Sequence, residues 1–198
     1  MNWIHHLDRG SSDLTVLLLH GTGGNEHQLM DFGRQVAPTA TLLGVRGRSL
    51  EEGSPRFFRR FTATAYDQPH LLSEAAALAA FVGEAAQEYG LDAKKVVALG
   101  YSNGANIALA SLAHHPDAWA GAALLRPVMP MDEPPGTDVH GLPVLVTSGE
   151  RDPYQPFAAP VVPYLTSVGA RVEEHLLSAG HELTPQDVQL TATWLGRL

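Results

Sequence analysis

The sequence predicts an α/β protein built on a mostly parallel central sheet with helices on both faces. Three observations carry that expectation. Short apolar runs recur along the chain, and "LTVLLL" at 14–19 is apolar at nearly every position, as a strand buried on both faces requires. Stretches of helical spacing separate these runs, and such alternation is the mark of parallel strands joined by helical crossovers. The runs end in loops rich in glycine or proline, where a ligand site of an open α/β sheet belongs.

The elements follow in order. Leu14–Leu19 is the first strand, and Glu26–Val36 fits a helix. Thr39–Val45 ("TATLLGV") is a second strand, and 47–69 reads as loop, with Gly53, Pro55 and Pro69. Leu71–Tyr89 is the clearest helix: Leu71, Ala75, Leu78, Val82, Ala85 and Tyr89 share one face, and Gly90 suits its end. Val96–Leu99 is a strand, and Ala105–Ala113 suits a close-packed helix. Ala120–Leu125, Val144–Ser148 and Arg171–Leu177 complete the strands. Phe157–Val168 has helical character interrupted by Pro160 and Pro163. The last helix opens with Thr184 as cap, Pro185 at its first position and Asp187 in its first turn.

Composition narrows the function classes. A chain of 198 residues with 44% hydrophobic and 17% charged residues suits one globular domain over 1–198. A net charge of −8 argues against a nucleic-acid partner, because duplex binders present basic surfaces. The chain has no cysteine, so it has no disulfide, thiol nucleophile or thiolate metal site. "MNWIHHLDRG" lacks the basic and apolar segments of a signal peptide, and no apolar run approaches a membrane span, so a cytoplasmic location is expected.

The chemistry-bearing residues fall just after the strands. "LGYSNGAN" places Ser102 between Gly100 and Gly104, at the junction of a strand and a helix. Small residues at minus two and plus two let the two backbones close on a sharp, strained turn that exposes the serine oxygen, the nucleophile elbow. A serine hydroxyl is a weak nucleophile until a base lies within hydrogen-bond reach, and that base needs a carboxylate to set its tautomer. His181 in "SAGHELTP" is the histidine that follows the last strand in a small-residue loop. Asp152 in "GERDPYQP" follows a strand in the same way, with Glu150 and Asp138 as alternative acids. The chain order Ser, Asp, His is that of α/β hydrolases.

A tetrahedral oxyanion also needs two preorganised N–H donors. The glycines of "HGTGGNE" can turn backbone N–H groups inward, and the donors are expected to be the backbone of Thr22 and of Asn103. His20 is expected to bond its own loop. No phosphate-loop spacing and no His-Glu-x-x-His helix is present, so neither a cofactor nor a metal is expected.

"LLLHGTGGNE", "GYSNGAN", "GERDP" and "AGHEL", in that order, resemble the small α/β-hydrolase serine esterases of the carboxylesterase/phospholipase group, which includes acyl-protein thioesterases. The resemblance spans residues 14–197. It implies the α/β-hydrolase fold without a large lid domain, a triad of Ser102, Asp152 and His181, and oxyanion donors at Thr22 and Asn103. It also implies cofactor-free hydrolysis of carboxylic esters or thioesters of small acyl or aromatic groups. A non-catalytic small-molecule-binding module on the same fold is the alternative. Homodimerisation is left open.

"RGRSLEEGSPRFFRRF" departs from the thioesterase pattern and is more similar to a bacterial branch of esterases that includes hydroquinone-linked hydrolases. Five arginines between 46 and 60 face only Glu51 and Glu52, which leaves this segment net +3 in a protein of net −8. As substrate-binding residues, Phe57 and Phe58 (with Phe61) are expected to wall an acyl or aromatic group, and Arg59 and Arg60 to hold an anionic or phenolic oxygen. The alternative is that the arginines pair with carboxylates and fasten a long loop.

Overall fold

The computed structural model describes residues 2–139 and 141–198. In chain order the elements are β1 (His5–Asp8), β2 (Thr15–Leu19), α1 (Met30–Val36), β3 (Thr41–Val45), β4 (Ser49–Glu51), β5 (Ser54–Arg56), α2 (Gln68–Tyr89), β6 (Val96–Tyr101) and α3 (Asn103–His114). They continue with β7 (Gly121–Leu125), β8 (Pro143–Gly149), α4 (Gln155–Ala158), α5 (Val161–Ser167), β9 (Arg171–Leu177) and α6 (Pro185–Leu195). Seven strands form one sheet in the order β1-β3-β2-β6-β7-β8-β9, parallel except for β1, which runs antiparallel to β3.

The apolar strands bury both faces because each face carries its own core. Leu17 and Leu19 of β2 join Leu78 of α2, Ile107 of α3 and Val161 of α5 on one side. Val16 and Leu18 join Val36 of α1 and Trp194 of α6 on the other. Successive strand side chains point to opposite faces, so an uninterrupted apolar run serves both layers.

The helix boundaries have local causes. The expected α2 starts three residues earlier, because the Asp67 carboxylate accepts from the His70 N–H and Pro69 occupies the first turn. It ends at Gly90 with φ +61°, a left-handed cap. The first predicted helix is shorter, since 26–29 are turn rather than helix. Pro160 separates α4 from α5 instead of lying within one helix. The predicted loop 47–69 holds a small hairpin of β4 and β5, whose two linking residues, Glu52 (φ 50°) and Gly53 (φ +82°), have the positive φ of a type I′ turn. β1 has no sequence signature: its side chains are only half-buried or exposed, and backbone pairing with β3 plus the burial of Trp3 hold it.

Two glycines of the elbow are set by backbone contact. A Cβ on Gly104 would lie 1.9 Å from the Leu19 carbonyl oxygen, and one on Gly100 would lie 2.4 Å from the Gly104 carbonyl oxygen. Gly104→Ala is therefore expected to destabilise by about 1–3 kcal/mol or more through forced backbone displacement. In contrast, a Cβ on Gly83, within α2, meets nothing within 4 Å. Gly83→Ala should stabilise by about 0.5–1 kcal/mol by restricting the unfolded chain. Thermal denaturation of the two variants should move in opposite directions.

Candidate active site

Ser102 leaves β6 with φ 52° and ψ −113°, a strained conformation for a residue with a Cβ, and its N–H donates to Leu125 O at 2.9 Å. The strain lifts its side chain above the carboxyl edge of the sheet. His181 Nε2 lies 2.9 Å from Ser102 Oγ, and His181 Nδ1 lies 2.7 Å from Asp152 Oδ2. With Nδ1–H donated to the carboxylate, Nε2 is free to accept the serine proton. Asp152 is buried, and its other oxygen accepts the Tyr154 N–H at 2.9 Å. The same residue thus makes the turn before β8's following helix and faces the histidine. Glu150 and Asp138, the alternative acids, are both exposed.

Asn103 is the first residue of α3, where backbone N–H groups lack intrahelical acceptors. Thr22 lies between Gly21, whose N–H donates to Gln28 Oε1, and Gly23, whose N–H donates to Pro55 O. Among the described residues, neither the Thr22 nor the Asn103 N–H has a protein acceptor. The Asn103 side chain is buried, and its Oδ1 accepts the Phe57 N–H at 2.8 Å, tying the arginine-rich segment to the elbow helix. His20 bonds its own loop as expected: Nδ1 donates to Gly21 O at 2.6 Å and Nε2 accepts the Gly47 N–H at 2.9 Å. Burial holds the His20 pKa below the ordinary histidine value, which keeps this acceptor neutral.

The arginine-rich segment divides differently from its expected roles. Phe57 and Phe58 are 0% exposed in the core under Trp3 and Tyr66, so they do not wall the cleft, and Phe61 is 75% exposed. Their consecutive apolar side chains serve the layer that covers α2, and the cleft wall falls to their neighbours. Arg59 turns away to Asp67, with Nε and Nη2 at 3.0 and 2.8 Å from Oδ2. Arg46 and Arg48 form paired contacts with Glu26 and Glu74, which fasten the loop. Arg60 does line the cleft, together with Arg56, Thr22, Tyr66, Tyr154 and the elbow residues, around a volume of about 300 Å³.

Sequence patterning missed the support of the histidine loop. Arg126 has φ 55° directly after β7, and its side chain is fully buried. Its guanidinium binds Gly180 O (3.1 Å) and Glu182 O (2.9 Å), while the Tyr101 hydroxyl donates to His181 O (3.0 Å). Three successive carbonyls around His181 are therefore pinned. Burial pushes the Tyr101 hydroxyl pKa up, so it remains a donor. Arg126 is held in turn by Asp187, with Nη1 and Nη2 at 2.8 and 2.9 Å from its two oxygens. Burial alone would raise the Asp187 carboxyl, but Arg126, the Thr184 N–H and the Thr147 hydroxyl hold it below the ordinary carboxylate value. The available signal was an arginine closing an apolar strand, "ALLRP", at the carboxyl edge where site residues collect.

The sequence profile of the phospholipase/carboxylesterase family matches residues 58–197, and the chain belongs to that family. It is an α/β-hydrolase of carboxylesterase type. The Bacillus subtilis (strain 168) protein MhqD is 40% identical over 192 residues, covering 96% of each chain. The Bacillus cereus carboxylesterase superposes with a TM-score of 0.95 at 36% identity, covering 99% of this chain and 94% of that one. A carboxylesterase from Mesorhizobium loti gives a TM-score of 0.95 at 38% identity, covering 98% and 94%. Among the described residues no helix is long and apolar enough to cross a membrane, and no group of three or more His, Asp or Glu side chains is placed to hold a metal ion.

Removing one member of the buried Arg126–Asp187 pair strands the other, so Asp187→Asn should cost about 3–5 kcal/mol. The depressed Asp187 carboxyl stabilises the fold fully above its unfolded value of about 3.9 and loses that contribution as the pH falls toward its folded value. Denaturant titrations between pH 6 and pH 3 should show less acid destabilisation in Asp187→Asn than in the wild type. Parallel acid profiles would refute the assignment.

Proposed function

We propose that the chain hydrolyses carboxylic esters of small molecules through an acyl-enzyme on Ser102. The observation that carries this reading is the continuous contact from Asp152 through His181 to Ser102 Oγ, at 2.7 and 2.9 Å. Ser102 Oγ attacks the ester carbonyl while His181 Nε2 takes its proton. The oxyanion sits on the N–H groups of Thr22 and Asn103, the loop donor and the residue after the nucleophile. Collapse expels the alkoxide or phenoxide, which receives the proton from His181. A water, deprotonated by His181, then attacks the acyl-serine, and the acid leaves as Ser102 regains its proton. Asp152 keeps the Nδ1–H tautomer and stabilises the imidazolium formed in each half-reaction. Thioesters undergo the same sequence with a thiolate leaving group, so a matched ester and thioester pair measures which bond the cleft favours.

An active-site phosphonate should add once, at Ser102, by intact mass and peptide mapping. Ser102→Ala should abolish both labelling and the turnover of simple aryl esters. Labelling of Ser102→Ala at an undiminished rate would reject the assignment. Asp152→Asn preserves shape but offers His181 the wrong tautomer, and should lower kcat by roughly 10³- to 10⁴-fold with little change in melting temperature. A loss below tenfold would make the carboxylate a turn former only.

A further inference from the structure

The cleft beside Ser102 carries more positive charge than its own carboxylates answer. Arg60 Nε binds Glu51 Oε1 at 2.9 Å, and that bond, before any other influence, raises the Arg60 pKa. Glu51 is thereby committed to Arg60. Arg56 sees the same carboxylate only at 3.6 Å, through Nε. Its side chain is 4% exposed, and burial, followed by the charge of Arg60, depresses its pKa. Its Nη1 donates to a neutral partner, the Thr22 hydroxyl, at 2.6 Å. Among the described residues, Nη2 of Arg56 and both Nη atoms of Arg60 have no acceptor. Two guanidiniums thus share one carboxylate in a cleft lined also by Ser102, Tyr66 and Tyr154.

A buried cation without a full counter-charge is costly unless a ligand anion supplies it. Guanidinium N–H groups left open in a fork are matched to carboxylate oxygens. From this we propose that Arg56 and Arg60 form a carboxylate subsite, so that the preferred substrates are small esters carrying a carboxylate a few atoms from the scissile carbonyl. The spacing follows from Thr22: its hydroxyl receives Arg56, and its backbone N–H is one of the two donors proposed for the oxyanion. The anion and the reacting carbonyl therefore meet opposite ends of one residue. Phe57 and Phe58, packed into the core, add no apolar wall beside these guanidiniums. This inference rests on the proposed esterase reaction for its kinetics, but the subsite makes a binding claim of its own.

The test uses matched pairs. The wild type should hydrolyse 3- or 4-acetoxybenzoate with a kcat/KM at least about ten times that for the corresponding methyl esters, mainly through KM, at low ionic strength. Arg60→Gln should remove most of that preference, and Arg60→Lys should restore part of it. Calorimetric titration with benzoate and with benzamide reads the subsite without turnover: benzoate should bind more tightly, and Arg60→Gln should weaken it about tenfold while benzamide changes less. Equal kcat/KM for acid and methyl ester, or equal binding of benzoate and benzamide, would overturn the subsite. Failure to hydrolyse any of these esters, with benzoate still favoured and dependent on Arg60, would instead overturn the esterase reaction and leave the subsite standing.

Discussion

The site depends on one close approach of backbone to backbone. The first turn of α3 lies against the end of β2, with the Gly104 Cα facing the Leu19 carbonyl and Gly100 facing Gly104 in turn. No side chain fits between them. That contact forces the chain from strand to helix within one residue, and Ser102 absorbs the turn with φ 52°. The helix then starts directly beneath the serine, which places the unpaired Asn103 N–H beside its oxygen. The raised serine side chain and the unpaired Asn103 N–H are two consequences of the same steric constraint.

The histidine is positioned by a separate and more polar device. A loop such as Ser178–Glu182 has no regular ladder to hold it, so its carbonyls need other donors. Arg126 and Tyr101 supply them, and the Arg126–Asp187 pair carries the load into α6. Buried ion pairs contribute little net stability against an apolar replacement of equal volume. Here the pair's effect is geometric: it joins β7, β8 through Thr147, the histidine loop and α6 at one point. The capping acid of α6 and the anchor of the site are the same carboxylate.

The arginine-rich segment shows how identical side chains take opposite duties within fifteen residues. Arg46, Arg48 and Arg59 each meet a carboxylate of a neighbouring element and act as fasteners. Arg56 and Arg60 lie on the hairpin and its exit, where Asn103 holds the Phe57 backbone against α3 and turns both guanidiniums to the cleft. Which arginine fastens and which faces the site depends on where the partner carboxylates lie, and those come from residues 26, 67 and 74.

Much was legible in the amino-acid order itself. Continuous apolar runs specify strands covered on both faces, and Gly100 and Gly104 around Ser102 specify a turn too tight for any Cβ. Asp152 and His181 were legible because each stands just past a strand, where a parallel sheet gathers its loops at one edge. These are local signals with a short-range physical cause. Tertiary structure alone decided the rest. β1 exists because an edge of the sheet offers hydrogen bonds, not because His5–Asp8 favours a strand. Phe57 and Phe58 are core because Trp3 and Tyr66 close over them from distant positions. Arg126 supports His181 only because α6 returns Asp187 to a strand end more than sixty residues earlier. Short-range order writes periodicity and turn chemistry into the sequence; the partner of a buried charge is chosen by packing, and packing is known only when the chain has closed.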